Sequence, residues 1–258
     1  MNPAKVTIED YIQFIIATPI AYSAVEAEKS YSESEAKPSH DAFTRLLQRQ
    51  PLDTEALWQE AQKHVDKKQG FLCLDDSTLD KPYAKQMELV TRHWSGKHRG
   101  VVEGINLISM LWTDDLEEKS KLIPCDFRLY DKPIGGKTKN EHFQEMLRTA
   151  KERGFRPACV TFDGWYSGLE NLKLIHSFGW IFLTRLKSNR KVNPDNTKNI
   201  HISEVDISVE HGSIVHLRGF GFIKVFKTLS SNNVDFDYWA TNDLETTHHL
   251  FDRRAKRA

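Results

Sequence analysis

The chain has 258 residues, 39% of them hydrophobic and 28% charged, proportions that suit one large or two small cores and exclude disorder of the whole chain. Thirty-six Lys and Arg balance thirty-six Asp and Glu, so net charge gives no sign of a polyanionic partner, and any nucleic-acid face must come from local basic stretches. No run approaches the roughly 18 apolar residues of a membrane span. The N-terminus lacks the order of a signal peptide, and Cys73, Cys125 and Cys159, odd in number and set in apolar runs, read as reduced thiols of a cytoplasmic protein.

Residues 1–69 read as a helical domain. Ile8, Tyr11, Ile12, Ile15 and Ile16 share one helix face, then Phe43, Leu46 and Leu47, then Leu57, Trp58, Ala61 and Val65. Pro19, Pro38 and Pro51 mark the boundaries, with Ser39 and Thr54 as expected N-caps. The second helix carries Thr44, Arg45, Gln48 and Arg49 on its polar side, which suits either a DNA recognition helix or a plain packing helix.

Residues 70–199 change to short apolar runs of strand length: 71–74, 101–112, 121–130 and 157–162. Phe143, Met146, Leu147 and Ala150 predict a crossover helix over 140–153 that stops at Gly154; a second helix over 168–178 and a strand over 180–186 follow. That order predicts a mixed sheet with helices packed on it. Residues 200–245 alternate polar and apolar with glycine breaks, the pattern of a β-rich insertion or extension. Residues 246–258, ending in Arg253, Arg254, Lys256 and Arg257, predict a frayed basic tail.

Two strands end in carboxylates. Leu74-Asp75-Asp76-Ser77 runs a hydrophobic strand into two acids, and Phe162-Asp163-Gly164-Trp165-Tyr166 ends another in Asp with a glycine for a sharp turn. Singly, each is also an ordinary strand-to-turn junction. Together, two strand-terminal aspartates on one sheet can converge on a site for hard divalent cations, Mg²⁺ or Mn²⁺. Two such ions roughly 3.5–4 Å apart stabilise the attacking and leaving oxygens of a phosphodiester displacement.

Asp75-Asp76-Ser77-Thr78-Leu79-Asp80-Lys81, the later Val160-Thr161-Phe162-Asp163-Gly164-Trp165-Tyr166 and the phrase Phe182 to Asn189 resemble the DDE transposases of bacterial insertion sequences, over about residues 40 to 245. The resemblance implies an α+β chain with an RNase H-like core, a DNA-binding helical domain in front and a β-rich insertion. It also implies metal binding by Asp163 and by Asp75, or else Asp76, with double-stranded transposon ends and target as DNA partners and the protein possibly self-associating. The family's activity is hydrolysis at transposon ends followed by joining of the freed 3′-hydroxyl to target DNA. The family's third acid, a glutamate in a Y-x2-R-x3-E-x6-K helix after the insertion, has no match after Ala240, and Glu245 reads as an acid at a helix start. The expectation is a C-terminally truncated, inactive transposase; the rivals are a DNA-binding module that dampens a full-length transposase, or an unrelated nuclease completed by Glu103 or Asp243.

Basic clusters at Arg92, Lys97, His98 and Arg99, at Lys132, Lys137 and Lys139, and at Arg185, Lys187, Arg190, Lys191 and Lys198 suit phosphate contacts or solvated faces. Arg45, Arg49, Arg185, Lys187 and Arg190 are the expected DNA contacts. Gly135-Gly136-Lys137-Thr138 lacks the leading glycine of a phosphate loop, Asp131 standing there, and no Cys or His spacing resembles a zinc site.

Overall fold

The computed structural model describes residues 4–18, 23–32, 37–50, 53–84, 87–114, 121–131, 135–230 and 234–255, the side chain of Arg253 apart. Pro19, Pro51, Lys132, Lys256 and Arg257 lie outside them. The chain divides into two units, Met1–Asp53 and Thr54–Ala258.

The first unit holds α1 (Ile8–Ala17), α2 (Ala24–Lys29) and α3 (His40–Gln48) around Val6, Phe14, Ala27, Ala42, Phe43 and Leu46. Helix α1 starts on a reciprocal cap: the Thr7 hydroxyl accepts from the Asp10 N–H at 3.2 Å and the Asp10 carboxylate accepts from the Thr7 N–H at 2.8 Å. Helix α2 is too short for a periodic signal, yet Ser23 caps it through the Glu26 N–H at 3.1 Å, so the Ser-x-x-Glu spacing was its readable mark. Ser39 stands at the N-cap of α3 without a side-chain cap bond. Phe43 and Leu46 of α3 point inward while Thr44, Arg45, Gln48 and Arg49 are exposed.

The third helix expected in the N-terminal domain, α4 (Thr54–Ala61), belongs to the second unit, which moves the division from 69/70 to 53/54. The cause is Trp58, which is buried against Phe155 with ring centroids 5.4 Å apart and beneath the Arg153 guanidinium at 4.7 Å, so that α4 packs on the strand β4 (Leu122–Tyr130). Thr54 is the first helical residue rather than a cap.

The sheet of the second unit adds β1 (Phe71–Asp80), β2 (Thr91–Ser95), β3 (Gly100–Thr113), β5 (Cys159–Phe162) and β6 (Phe182–Leu186), with β9 (Ser213–Leu217), β10 (Gly221–Leu229) and β11 (Phe236–Thr241) beyond. Its order is β2-β3-β1-β5-β6-β11-β10-β9, with β4 also paired to β3, and a separate pair is made by β7 (Lys191–Val192) and β8 (Ile200–His201). Strand β3 runs antiparallel to β1, whereas β5 and β6 run parallel to it. Three antiparallel strands followed by two parallel crossovers give the RNase H-like α+β core. The β-rich segment is no separate body: β11 pairs with β6, so β9 to β11 extend the same sheet.

One sheet face carries Leu72, Leu74, Ile108, Met110, Val160 and Phe162 beneath α5 (Lys139–Glu152) and α6 (Leu169–Ser177), with Phe143, Met146, Leu147, Leu172 and Ile175 facing them in the main core. Helix α5 starts on a second reciprocal cap, Thr138 with Glu141, and ends before Gly154, whose φ of 86° suits glycine alone. On the opposite face Phe71, Cys159, Leu183, Phe226 and Trp239 pack under α7 (His248–Ala255). The frayed tail expected over 246–258 is therefore helical through Ala255. Phe251 anchors it, stacked on Phe226 at 4.5 Å and 7°, and burying that ring stabilises the helix by roughly 2–3 kcal/mol. Among the described residues no helix is long and apolar enough to cross a membrane.

Candidate active site

Side chains alternate along a strand, so Asp75 and Asp76 leave β1 on opposite faces. Asp76 is in phase with the core residues Leu72 and Leu74; Asp75 is in phase with Phe71 and Cys73, on the face that α7 partly covers. The parallel β1–β5 register pairs Leu74 with Phe162. Asp75 follows Leu74 on β1 and Asp163 follows Phe162 just past the end of β5, so the two acids come one residue after the last pair of that ladder.

Asp75, Asp163, Cys73, Leu74, Thr161, Phe162, Arg185 and Trp239 line a cavity of about 290 Å³. Burial pushes the Asp75 carboxyl above its ordinary range; the Asp76 N–H that it accepts at 2.8 Å pulls it down, the charges of Asp76 and Asp163 push it further up, and Arg185 opposes them. Asp163 caps the turn after β5, accepting from the Gly164 N–H at 2.7 Å. The backbones approach closely at that turn: a Cβ at 164 would stand 3.0 Å from the Arg185 carbonyl oxygen, tighter than most Cβ contacts. Arg185 is held with its guanidinium 5.0 Å over the Trp239 ring and 3.7 Å from the Asp237 carboxylate.

The donor set fits a hard divalent cation: carboxylate oxygens from two adjacent strand ends, lining one cavity that an arginine also faces. Among the described residues no group of three or more His, Cys, Asp or Glu gathers as a metal-binding cluster. Glu103 does not join the pair. Asp75 faces Ser109 on β3, and Glu103 stands six residues further along, roughly 20 Å away. Asp243 is spent on Arg254 at 2.8 Å, and Glu245 is exposed in the turn before α7.

Asp76 has the opposite surroundings. One oxygen accepts from the Lys139 ammonium at 2.7 Å and the Asn106 amide at 2.8 Å; the other accepts from the Tyr166 hydroxyl at 3.0 Å. Burial pushes its carboxyl up, but those bonds and the Lys139 charge outweigh it and hold the pKa below the ordinary value. Tyr166 is pushed strongly upward by burial and by Asp76, so it donates as a neutral phenol.

The expected DNA contacts separate by position. Arg185 lines the cavity, and exposed Lys187 sits 5.5 Å over the ring of Trp165, itself 60% exposed and two residues past Asp163. Arg190 is half-buried, its pKa lowered by burial, and it is not among the cavity residues. Arg45 and Arg49 are exposed on α3 of the first unit, where the Arg49 side chain donates to the Arg45 carbonyl at 2.9 Å. Two other basic clusters are partly absorbed by partners: Lys97 and His98 by Asp80, Lys137 by Glu145 and Lys139 by Asp76. Nothing local in the sequence marks Lys139, Asn106 and Tyr166 as partners of Asp76, although its phase with Leu72 and Leu74 already requires a buried partner.

An RNase H-like sheet with aspartates on adjoining parallel strand ends defines a class of proteins in which carboxylates gather at one sheet edge. The family model for DDE superfamily endonucleases matches residues 23–201, well over half the chain, and the chain belongs to that family. Among solved structures, the piggyBac transposase synaptic complex with hairpin DNA aligns at 12% identity and a TM-score of 0.47, over 97% of this chain and 56% of that one. The Drosophila P element transposase strand transfer complex aligns at 14% identity and a TM-score of 0.34, over 77% and 49%. Endonuclease V from Bacillus subtilis aligns at 9% and 0.34, over 84% and 81%. The chain spans about half the length of the two transposases. A search of curated proteins finds no match.

Proposed function

We propose that this chain carries the core of a DDE-type DNA transposase, in which Asp75 and Asp163 hold divalent metal at the scissile phosphodiester. The observation that carries this reading is the pairing of the two carboxylates on adjacent parallel strands in a cavity faced by Arg185, within a family of DDE endonucleases. When bound, two Mg²⁺ or Mn²⁺ ions would supply charge stabilisation at the attacking and leaving oxygens. Asp75 and Asp163 bind in their ionised forms. Arg185, fixed by Trp239 and Asp237, offers a cation to the phosphate beside them, and Lys187 with Trp165 offers a charge and an aromatic face to a neighbouring nucleotide. Arg45 and Arg49 on α3 supply a second basic face for duplex DNA.

With two acids in the pair, this chain on its own binds DNA and cuts it slowly at best, the second ion being weakly held. The same feature supports a second reading, a module that occupies DNA or partner subunits and dampens an active transposase. Nicking of supercoiled plasmid in Mg²⁺ or Mn²⁺, beside binding to a labelled duplex at several salt concentrations, tests the reading. Salt-sensitive binding is expected, with at most trace nicking that Asp163→Ala removes. Fast nicking lost in Asp163→Ala would refute the low activity but keep the site, and nicking indifferent to both aspartates would refute the site.

A further inference from the structure

The backbone ladder between β1 and β5 ends at Leu74 and Phe162, so its last pair lies one residue before the two acids. Beyond that point the turn after Asp163 is tied to β1 through a side chain, the Tyr166 hydroxyl donating to Asp76 at 3.0 Å. Both partners are held in turn. The Tyr166 ring stacks on Phe143 of α5 at 4.8 Å and 13°, and its carbonyl accepts from the Asn171 amide at 2.9 Å, which also donates to Asn140 at 2.7 Å. Asp76 accepts three hydrogen bonds, from Tyr166 on one oxygen and from Lys139 and Asn106 on the other, and it leaves β1 on the face opposite Asp75, turned away from the cavity that Asp75 and Asp163 line.

We propose that this clamp, in which Asp76 is gripped by Tyr166, Lys139 and Asn106, is the device that sets the spacing of Asp75 and Asp163, and that its members are positioning residues rather than metal ligands. It connects β1, β3, the first turn of α5 and the turn after β5, the four pieces that could shift one acid relative to the other. Coordination geometry is exacting, and outer partners of metal ligands commonly change affinity by 10–100-fold when removed. The proposal rests on the reading of Asp75 and Asp163 as the ion-holding pair.

The experiment titrates the full chain with Mn²⁺ alone, following free Mn²⁺ by electron paramagnetic resonance and bound-metal hydration by water-proton relaxation. Tyr166→Phe, which removes one oxygen atom, and Lys139→Gln are each expected to weaken binding about tenfold or more and to alter the relaxation of the bound ion. Ile175→Val, a mild core change on α6, should leave both readouts at wild-type values, separating positioning from general loss of stability. Whichever clamp variant folds carries the test, and wild-type Mn²⁺ affinity and relaxation in a folded clamp variant would overturn the proposal. If the wild-type chain binds no Mn²⁺, or Asp163→Asn binds it as wild type does, the failure belongs to the proposed site instead.

Discussion

Asp75 and Asp76 are the same residue type, adjacent on one strand, and they occupy opposite kinds of environment. The face holding Asp76 is closed: core leucines lie before it, and an ammonium, an amide and a phenol complete its hydrogen bonds. The face holding Asp75 is open, and its carboxyl meets a cavity, a second carboxylate and an arginine. Removing one partner from a buried, hydrogen-bonded ion pair costs stability, whereas removing a carboxyl whose ionisation burial disfavours does not. The contrast is between a hydrogen-bonded aspartate on the core face and one that lines a cavity.

The largest expected effect lies on the closed face. Asp76→Ala leaves the mostly buried Lys139 ammonium without its partner and is expected to destabilise the second unit by about 3 kcal/mol in chemical denaturation. Tyr166→Phe should cost less, about 1.5 kcal/mol by the same measurement, since one bond to a charged acceptor is lost. Asp75→Asn should break the symmetry: it removes a carboxyl whose ionisation the fold disfavours, so the metal-free melting temperature stays level or rises on the order of 1 °C, solvent screening keeping the gain small. A large loss of stability in Asp75→Asn would contradict the open-face description.

The pH dependences have opposite signs. Asp76, held below the ordinary 3.8, contributes stability that is complete above that value and is lost as pH falls through its depressed folded pKa. Asp75, raised above the ordinary 3.8, is without cost below that value; stability is lost as pH rises from 3.8 through its folded pKa and is restored on protonation. Acid denaturation of Asp76→Asn should therefore show a flatter limb below about pH 4 than wild type, and Asp75→Asn a slightly steeper overall rise of stability with pH.

How much was legible follows from the range of each interaction. The crossover helix α5 was readable because its cap, its apolar spacing and Gly154 are local signals. So were the two strand-end aspartates. Helix α4 is legible as a helix, but its place in the second unit is not, because its partners on β4 and at Phe155 lie far along the chain. Phe251 gives no local sign that it anchors α7: one aromatic among basic residues has little periodicity, and its partners, Phe226 and Trp239, come together only in the folded sheet. That Asp75 and Asp76 face opposite sides of the sheet, Asp76 toward the core, was within reach of strand alternation counted from Leu72. The Tyr166 clamp spans 90 residues and was not.

The central claim is that Asp75, and not Asp76, faces the ion with Asp163. Crystals soaked in Mn²⁺ and measured at a wavelength with Mn anomalous signal test it most directly. The account predicts an anomalous peak within direct coordination distance, roughly 2 Å, of carboxylate oxygens of both Asp75 and Asp163, with Asp76 still bonded to Tyr166 and Lys139. A peak at Asp76, or an ordered Mn²⁺ that touches neither Asp75 nor Asp163, would contradict it.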